Sequence, residues 1–299
     1  MIAASAEPDA RRTSWQTAPW WYRLLGRIPF PVLSWLMRIT VWQQAVLMVR
    51  FARLARRSKV LPGGWGSSLR FGFLCALSIE ENRAWIVACE SLANRELAGW
   101  VRVEGREHLE QARLSGQPLL IVFPHERLSR LVQNWLNQPS LDWAPWMLRS
   151  DTSGDPCNRY LDRQRRDLVW HGRILGLEPS GLRKLLKVLH AGGVGTLCPD
   201  GGHHVDIMTP ILGHRLPYPL GVARIAMHAN ALVVPMLAWT GFRPGSRTVT
   251  FLPPLDPAGK TEAAWREELA QLLDRMILLH PEVWSLWEDW EKSGACRAE

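Results

Sequence analysis

A short apolar strand followed at once by a histidine constrains this chain more than any other feature. Residues 119–123 form a continuous apolar run between Pro118 and Pro124, and His125 comes next. A run of this length bounded by prolines predicts a strand buried on both faces, as in the sheet of an α/β protein. Apolar residues recur at helical spacing from Leu128, so His125 is predicted at a strand-to-helix turn. Open α/β sheets place their functional groups at such strand ends.

The rest of the chain alternates predicted strands with predicted helices. Further strands are predicted at 101–103, 143–148, 194–198, 232–238 and 247–252. The helices between them include one at 67–98 and one that Ser180 is predicted to cap. This alternation predicts an α/β fold with a mostly parallel central sheet flanked by helices. The 299 residues are enough for one large domain of this class.

The excess positive charge is confined to the N-terminal fifth of the chain. Residues 1–60 contain ten Lys and Arg and only two Asp and Glu, so they account for the whole net charge of +8. A nucleic-acid-binding domain would spread basic groups over its folded surface, so this distribution argues against a nucleic acid partner. The five cysteines are scattered without a C-x-x-C pair. That pattern indicates a reducing compartment and argues against a disulfide framework or a structural zinc site.

The basic residues lie within an apolar, tryptophan-rich segment from Trp20 to Arg57. No apolar run in this segment reaches the roughly 18 residues of a simple membrane span. Aromatic and basic groups mixed in this way predict an N-terminal amphipathic helical arm in the headgroup region of an anionic membrane. Helices packed on the domain, or a poor transmembrane span, are the alternatives. We predict a membrane-associating arm at 1–60 and an α/β domain at 61–299.

Short motifs in a fixed order extend the pattern over residues 20–292. The first are Val103–Glu110, Gly116–Ile121, Pro124–His125 and Asn158–Arg166. The later ones are Leu189–Val194, Pro199–Asp200, Pro210–Arg215, Ala231–Pro235, Phe251–Leu255 and His280–Trp284. With these motifs in this order, the chain resembles the lipid A biosynthesis (lauroyl/myristoyl) acyltransferases of the glycerolipid acyltransferase superfamily.

The resemblance implies an enzyme that takes a fatty acyl group from acyl carrier protein and places it on a lipid hydroxyl. It implies neither a metal nor a tightly held cofactor. The family's hallmark is a histidine with Asp or Glu five positions later, where the acid orients the imidazole that takes the acceptor's proton. His125 matches the histidine, but Arg130 stands in the place of the acid. This departure suggests a different acceptor, a lipid or polyketide-type product with a hydroxyl or amine.

The departure leaves three interpretations open. In the first, His125 is the general base and another carboxylate supports it, either Glu126 or Asp200, which ends the neighbouring strand. In the second, the chain is a catalytically degenerate acyl-binding or scaffold subunit. In the third, the chemistry has moved to side chains that could form a nucleophile with its base, or a metal site. Those side chains are Cys198, Asp200, His203, His204 and Asp206.

Several basic and polar residues are candidate substrate-binding groups. Guanidinium groups suit the phosphates of phosphopantetheine or of lipid headgroups, because they form paired hydrogen bonds with phosphate oxygens. Arg130 occupies the acid's position in the motif, so we expect it to face the crevice and to bind a carboxylate or phosphate of an unusual acceptor. The other candidates are Arg149, Asn158, Arg163, Arg166, His203 and His204.

Together these observations predict an acyltransferase on the cytoplasmic face of a bacterial inner membrane, either peripheral or held by a single anchor. Its expected partners are acyl carrier protein, an anionic membrane surface and a lipid or polyketide-type acceptor. A carboxylate within hydrogen-bond reach of His125 would favour the enzyme. Arg130 stacked over the imidazole would favour the degenerate subunit.

Overall fold

A seven-stranded sheet forms the centre of the structure, a computed structural model. The structure describes residues 28–58, 61, 64–91, 99–136, 145–149, 174–200, 208–216, 220–241 and 246–290. The strands are β1 (Val101–Glu104), β2 (Leu119–Val122), β3 (Trp146–Arg149), β4 (Ile174–Gly176), β5 (Val194–Leu197), β8 (Leu232–Thr240) and β9 (Arg247–Phe251), with β6 (Thr209–Ile211) and β7 (His214–Leu216) forming a separate hairpin. Across the sheet the order is β1-β9-β8-β2-β5-β3-β4. Every neighbouring pair in it is parallel except β8 and β9. The predicted α/β fold with a mostly parallel central sheet is confirmed.

Helices cover this sheet. They are α1 (Phe30–Ile39), α2 (Ala45–Ser58), α3 (Trp65–Ser91), α4 (Arg106–Leu114), α5 (Ser129–Leu136), α6 (Pro179–His190), α7 (Gly221–Ala229), α8 (Glu262–Leu279) and α9 (Trp287–Trp290). Short 3₁₀ helices lie at Thr40–Gln44 and Pro281–Val283.

The central strand β2 is buried on both faces, as its unbroken apolar sequence predicts. It pairs with β5 on one side and β8 on the other, with Leu119 opposite both Val194 and Leu232. Leu120 and Val122 pack into the cluster that contains the buried faces of α6, α7 and α8. Leu119 and Ile121 pack into the second cluster, with residues of α4 and α5. The period of two along a strand therefore divides the core into two layers, one on each side of the sheet.

The described part of the predicted arm, α1 and α2, packs along α3. Its inner face is buried, and Phe51 and Leu54 of α2 join the same core cluster as the sheet residues. On its outer face Trp42 and Val46 are 69% and 81% exposed. By length and composition, 31–57 is apolar enough to cross a membrane. In this fold the segment continues through a 3₁₀ stretch at Thr40–Gln44 and covers the domain with one face.

Three features of the fold differ from the sequence-based expectation. The α6 helix begins at Pro179 with Glu178 at the N-cap, so the predicted capping role of Ser180 is wrong. Proline is well suited to the first helical position, since its fixed φ angle matches the helix and its missing N–H would have no partner there. The other two features are strand β4 and the β6–β7 hairpin, which were not predicted. Each of these three strands has only three residues, too few to show a period of two.

Candidate active site

Two strand ends meet at the candidate active site. β2 and β5 are parallel neighbours, and their last residues, Val122 and Leu197, are paired in register. His125 lies three residues beyond the end of β2, and Asp200 lies three residues beyond the end of β5. Because parallel strands end at the same edge of a sheet, this equal offset brings the two side chains together.

His125 and Asp200 form a close hydrogen-bonded pair. The Nδ1 atom of His125 lies 2.8 Å from Oδ1 of Asp200. The backbone N–H of His125 donates to both oxygens of the same carboxylate, at 2.9 and 3.0 Å, and the indole Nε1–H of Trp284 donates to Oδ2 at 2.8 Å. The Asp200 side chain is fully buried, whereas that of His125 is 41% exposed. A buried carboxylate surrounded by N–H donors holds Nδ1–H as a donor and leaves the ring accessible to a ligand.

The neighbouring acid, Glu126, is turned towards β8 instead. Its Oε2 atom accepts a hydrogen bond from the backbone N–H of Ala238 at 2.8 Å, and the side chain is buried. Burial raises the pKa of Glu126 well above its usual value, and the charge of Asp200 adds to this increase, while the hydrogen bond from Ala238 opposes it. Of the two carboxylates predicted to support His125, the structure brings Asp200 to the ring and turns Glu126 into the core, where burial favours its protonated form.

The Glu126→Gln variant is expected to be more stable than the native protein at neutral pH, by a margin that grows with pH. A carboxyl with a raised folded pKa keeps its proton in the folded state, while the unfolded chain releases it near pH 4.3. The contribution of Glu126 to the free energy of unfolding then falls by about 1.4 kcal/mol per pH unit, until the pH reaches the raised folded pKa. Glutamine is neutral throughout and offers the same oxygen to Ala238.

Urea unfolding between about pH 5 and pH 8 would measure this margin. The control is Glu107→Gln, since Glu107 is exposed on α4. A stability difference for Glu126→Gln that stays constant over this range would show that Glu126 is ionised in the folded protein.

Residues near the end of the described chain complete the site, although no functional role was predicted for them from the sequence. Val283, Trp284 and Ser285 return to the turn that carries His125, and Trp284 forms an isolated antiparallel bridge with Glu126. The backbone N–H of Arg127 donates to the carbonyl of Val283 at 2.7 Å. His280–Trp284 was one of the motifs of the resemblance, which was the signal available in the sequence.

The sequence pattern of the bacterial lipid A biosynthesis acyltransferases matches residues 77–289, which include His125, Asp200 and Trp284. The chain belongs to this family. The resemblance seen in the motifs is confirmed, and membership places the protein among the acyltransferases of lipid biosynthesis. Its histidine is hydrogen-bonded to a carboxylate from another strand end, not to one five positions along the chain.

Among solved structures, this acyltransferase-family chain is similar to the 1-acyl-sn-glycerophosphate (LPA) acyltransferase PlsC from Thermotoga maritima. The two are 16% identical, and the alignment has a TM-score of 0.42 and covers 86% of this chain and 100% of that chain. A comparison with curated proteins finds no match.

Cys198 is the thiol that the third interpretation treats as a possible nucleophile. Its surroundings in the structure favour the neutral form of the thiol. Burial raises the pKa of Cys198 well above its usual value, and the charge of Asp200 raises it further. The thiolate is the reactive form of cysteine, so these surroundings disfavour nucleophilic attack by Cys198. His203, His204 and Asp206, the other members of that predicted group, lie outside the described residues.

The predicted substrate-binding residues are only partly covered by the described chain of this acyltransferase. Arg130 lies in α5, which starts close to the turn that carries His125, and Arg149 is the last residue of β3. The predicted residues outside the described ranges are Asn158, Arg163, Arg166, His203 and His204.

Proposed function

We propose that this protein transfers an acyl group from the thioester of acyl carrier protein to a hydroxyl of a lipid acceptor, with His125 as general base. The observation that carries the proposal is the hydrogen bond between Nδ1 of His125 and the buried Asp200 carboxylate. A carboxylate on Nδ1 leaves the basic lone pair on Nε2 and stabilises the imidazolium that forms when the ring takes a proton. The same contact argues against the degenerate acyl-binding subunit, since binding alone needs no such pair.

The reaction then follows from the chemistry of a thioester. Nε2 of His125 takes the proton of the acceptor hydroxyl as its oxygen attacks the carbonyl carbon. The tetrahedral intermediate collapses, the carbon–sulfur bond breaks, and the imidazolium returns its proton to the departing thiolate of the carrier. The products are an ester and free acyl carrier protein thiol, and Asp200 remains ionised throughout. An amine acceptor would react in the same way and give an amide.

The identity of the acceptor is the second part of the proposal. In place of the family's acid the chain has Arg130, on the helix that follows the catalytic turn. A guanidinium at this position suits an acceptor that carries a phosphate or carboxylate. We propose a lipid or polyketide-type acceptor with an anionic group.

Acyl transfer can be tested by mass spectrometry with acyl carrier protein as donor and bacterial lipid extract as acceptor. The native protein should form a new acylated product, and His125→Ala should lower kcat by about 10²–10⁴-fold. His190→Ala, an exposed histidine on α6, is the matched control and should keep native activity. Binding of acyl carrier protein without any product would instead identify a non-catalytic acyl-binding or scaffold subunit.

We also propose that the outer face of α1 and α2 lies on the anionic cytoplasmic surface of a bacterial inner membrane. Large apolar side chains on this face, among them Trp35, Trp42 and Val46, are exposed. Exposed basic groups of α2, including Arg53 and Arg57, lie beside them. An apolar strip edged by arginines suits the boundary between acyl chains and anionic headgroups. Acyl carrier protein as donor supports the cytoplasmic side, as do the scattered cysteines.

Charge reversal on α2 should weaken membrane binding. The Arg53→Glu/Arg57→Glu variant should bind vesicles that contain phosphatidylglycerol about 30-fold more weakly or worse, since each basic residue near an anionic surface contributes about 1 kcal/mol. Co-sedimentation with vesicles, with and without phosphatidylglycerol, would measure the effect. The control is Arg183→Glu/Lys187→Glu, which reverses two exposed charges at the same spacing on α6. Equal losses in both variants would point to non-specific attraction.

A further inference from the structure

A short segment near the end of the described chain, Pro281–Ser285, packs against the turn that carries His125. We call this segment the clamp. Ser285 donates two hydrogen bonds to the backbone carbonyl of His125, one from its N–H at 2.7 Å and one from its Oγ at 2.6 Å. On the far side of the clamp, Ser78 Oγ of α3 donates to the carbonyl of Glu282 at 3.0 Å. The clamp thus ties the catalytic turn to a core helix.

Trp284 is the member of the clamp that contacts the carboxylate itself. Its indole is 1% exposed, and it donates to Oδ2 of Asp200, the oxygen that is not bonded to the imidazole. The indole packs edge-on against Trp287 at 4.8 Å, and Trp287 in turn packs against Phe71 of α3 at 5.7 Å. A large ring buried in this way has little rotational freedom, so its N–H holds a fixed direction.

From these contacts we infer that Trp284 and Ser285 are positioning residues for the His125–Asp200 pair, an inference that rests on the proposed acyl transfer. Oδ1 of Asp200 serves the imidazole and Oδ2 serves Trp284, so the two bonds together fix the plane of the carboxylate. Ser285 fixes the backbone from which the imidazole projects. Neither residue needs to touch the substrate for the clamp to aim the ring.

The surroundings make the titration of His125 a direct probe of this arrangement. Glu126 and Cys198 are buried near Asp200, and burial raises the pKa of each and favours its neutral form. Two charged groups, Arg127 and Glu282, lie on the side of the clamp. They act on Cys75 of α3, whose pKa is raised by burial, lowered by Arg127 and raised by Glu282. Asp200 is therefore the acid whose charge the His125 imidazolium meets most closely, at 2.8 Å.

The decisive experiment measures the pKa of His125 by NMR of the ring resonances, together with kcat and KM for acyl transfer. In Trp284→Phe the carboxylate loses a donor that competes with the imidazolium, so the pKa of His125 should rise. In Asp200→Asn it should fall, because the negative charge is gone. For Trp284→Phe we expect kcat to fall about 10- to 100-fold with KM nearly unchanged, the usual size for a hydrogen bond to a charged group.

The matched control is Trp265→Phe, which removes the same atoms from an equally buried tryptophan in α8, against Lys260. If Trp284→Phe gives the same His125 pKa and the same kcat as Trp265→Phe, the positioning role is wrong. If the native protein transfers no acyl group, the proposed function fails, yet the His125 titration still decides whether Trp284 acts on the pair.

A second variant covers the case in which Trp284→Phe does not fold, as thermal melting would show. Ser285→Ala removes one hydrogen bond to the His125 carbonyl and keeps the other. It should lower kcat about fivefold, which is the effect of one neutral hydrogen bond. Ser115→Ala removes a similar bond, to the carbonyl of Ala112 at 2.6 Å, far from the site. Equal kcat values in these two variants would overturn the role of the clamp.

Discussion

The Asp200→Asn variant is expected to lower kcat for acyl transfer about 10⁴-fold, as removal of the acid does in a Ser-His-Asp triad, while the protein stays folded. The carboxylate accepts hydrogen bonds from the ring and backbone of His125 and from Trp284. An asparagine has only one oxygen for these three donors. Its NH₂ group would face Nδ1 or the indole, and opposite Nδ1 it would favour the tautomer that cannot accept a proton at Nε2.

Steady-state kinetics with acyl carrier protein thioesters would measure this loss, and circular dichroism would verify the fold. Asp256→Asn is the matched control, because its Oδ1 atom also accepts a backbone N–H, that of Ala258 at 2.9 Å. The control should keep the native kcat. A folded Asp200→Asn protein with kcat within tenfold of the native value would mean that another group orients His125.

The sheet and the position of His125 were predictable because the evidence for them is local. The residues of β2 are apolar without a break, and a helical period follows within a few positions, so the strand-to-helix turn is visible in the sequence. The same reasoning placed Asp200 at a strand end. What the sequence left open was which acid reaches the ring. Glu126 and Asp200 were both candidates until the pairing of β2 with β5 was known.

The clamp was not predictable in this way, since it depends on contacts between distant parts of the chain. Trp284 lies 84 positions from Asp200, and Ser285 lies 160 positions from His125. No periodicity distinguishes an indole that donates to a buried carboxylate from one that only fills the core. The high tryptophan content predicts packing and an interface, and the individual hydrogen bonds follow only from the fold.

The arm shows the same limit for charged residues. Its basic groups appeared in the sequence as one set facing a membrane, but the structure separates them. Arg38 is turned inwards, with its side chain only 12% exposed, and donates to Glu81 of α3. Arg56 lies over the ring of Trp65 at 4.0 Å. Arg50, Arg53 and Arg57 are on the exposed face of α2. The number of basic groups in the arm could be read from the sequence. The side on which each of them lies depends on how α1 and α2 pack on α3.

The buried network around Glu81 leads to the second large effect that we expect, a loss of about 3–5 kcal/mol in unfolding free energy in Glu81→Gln. Glu81 accepts hydrogen bonds from Arg38 at 2.5 Å, from Arg247 at 2.5 Å and from Ser34 at 2.7 Å. The side chains of Glu81 and Arg247 are fully buried. A glutamine would remove the negative charge that Arg38 and the fully buried Arg247 share, and breaking a buried ion pair in this way is costly.

The adjacent residue provides a close control for this prediction. Glu80 is as buried as Glu81, but its cationic partner is Arg83, whose side chain is 56% exposed. Water can solvate Arg83 when the carboxylate is lost, so Glu80→Gln should cost only about 1 kcal/mol. Urea unfolding of both variants would compare them directly. Equal losses would show that the position in α3 determines the cost. A larger loss for Glu81→Gln would show that the ion pairs of Glu81 with Arg38 of the arm and Arg247 of the sheet contribute more to stability than the bonds of Glu80 with Arg83, Thr40 and Gln44.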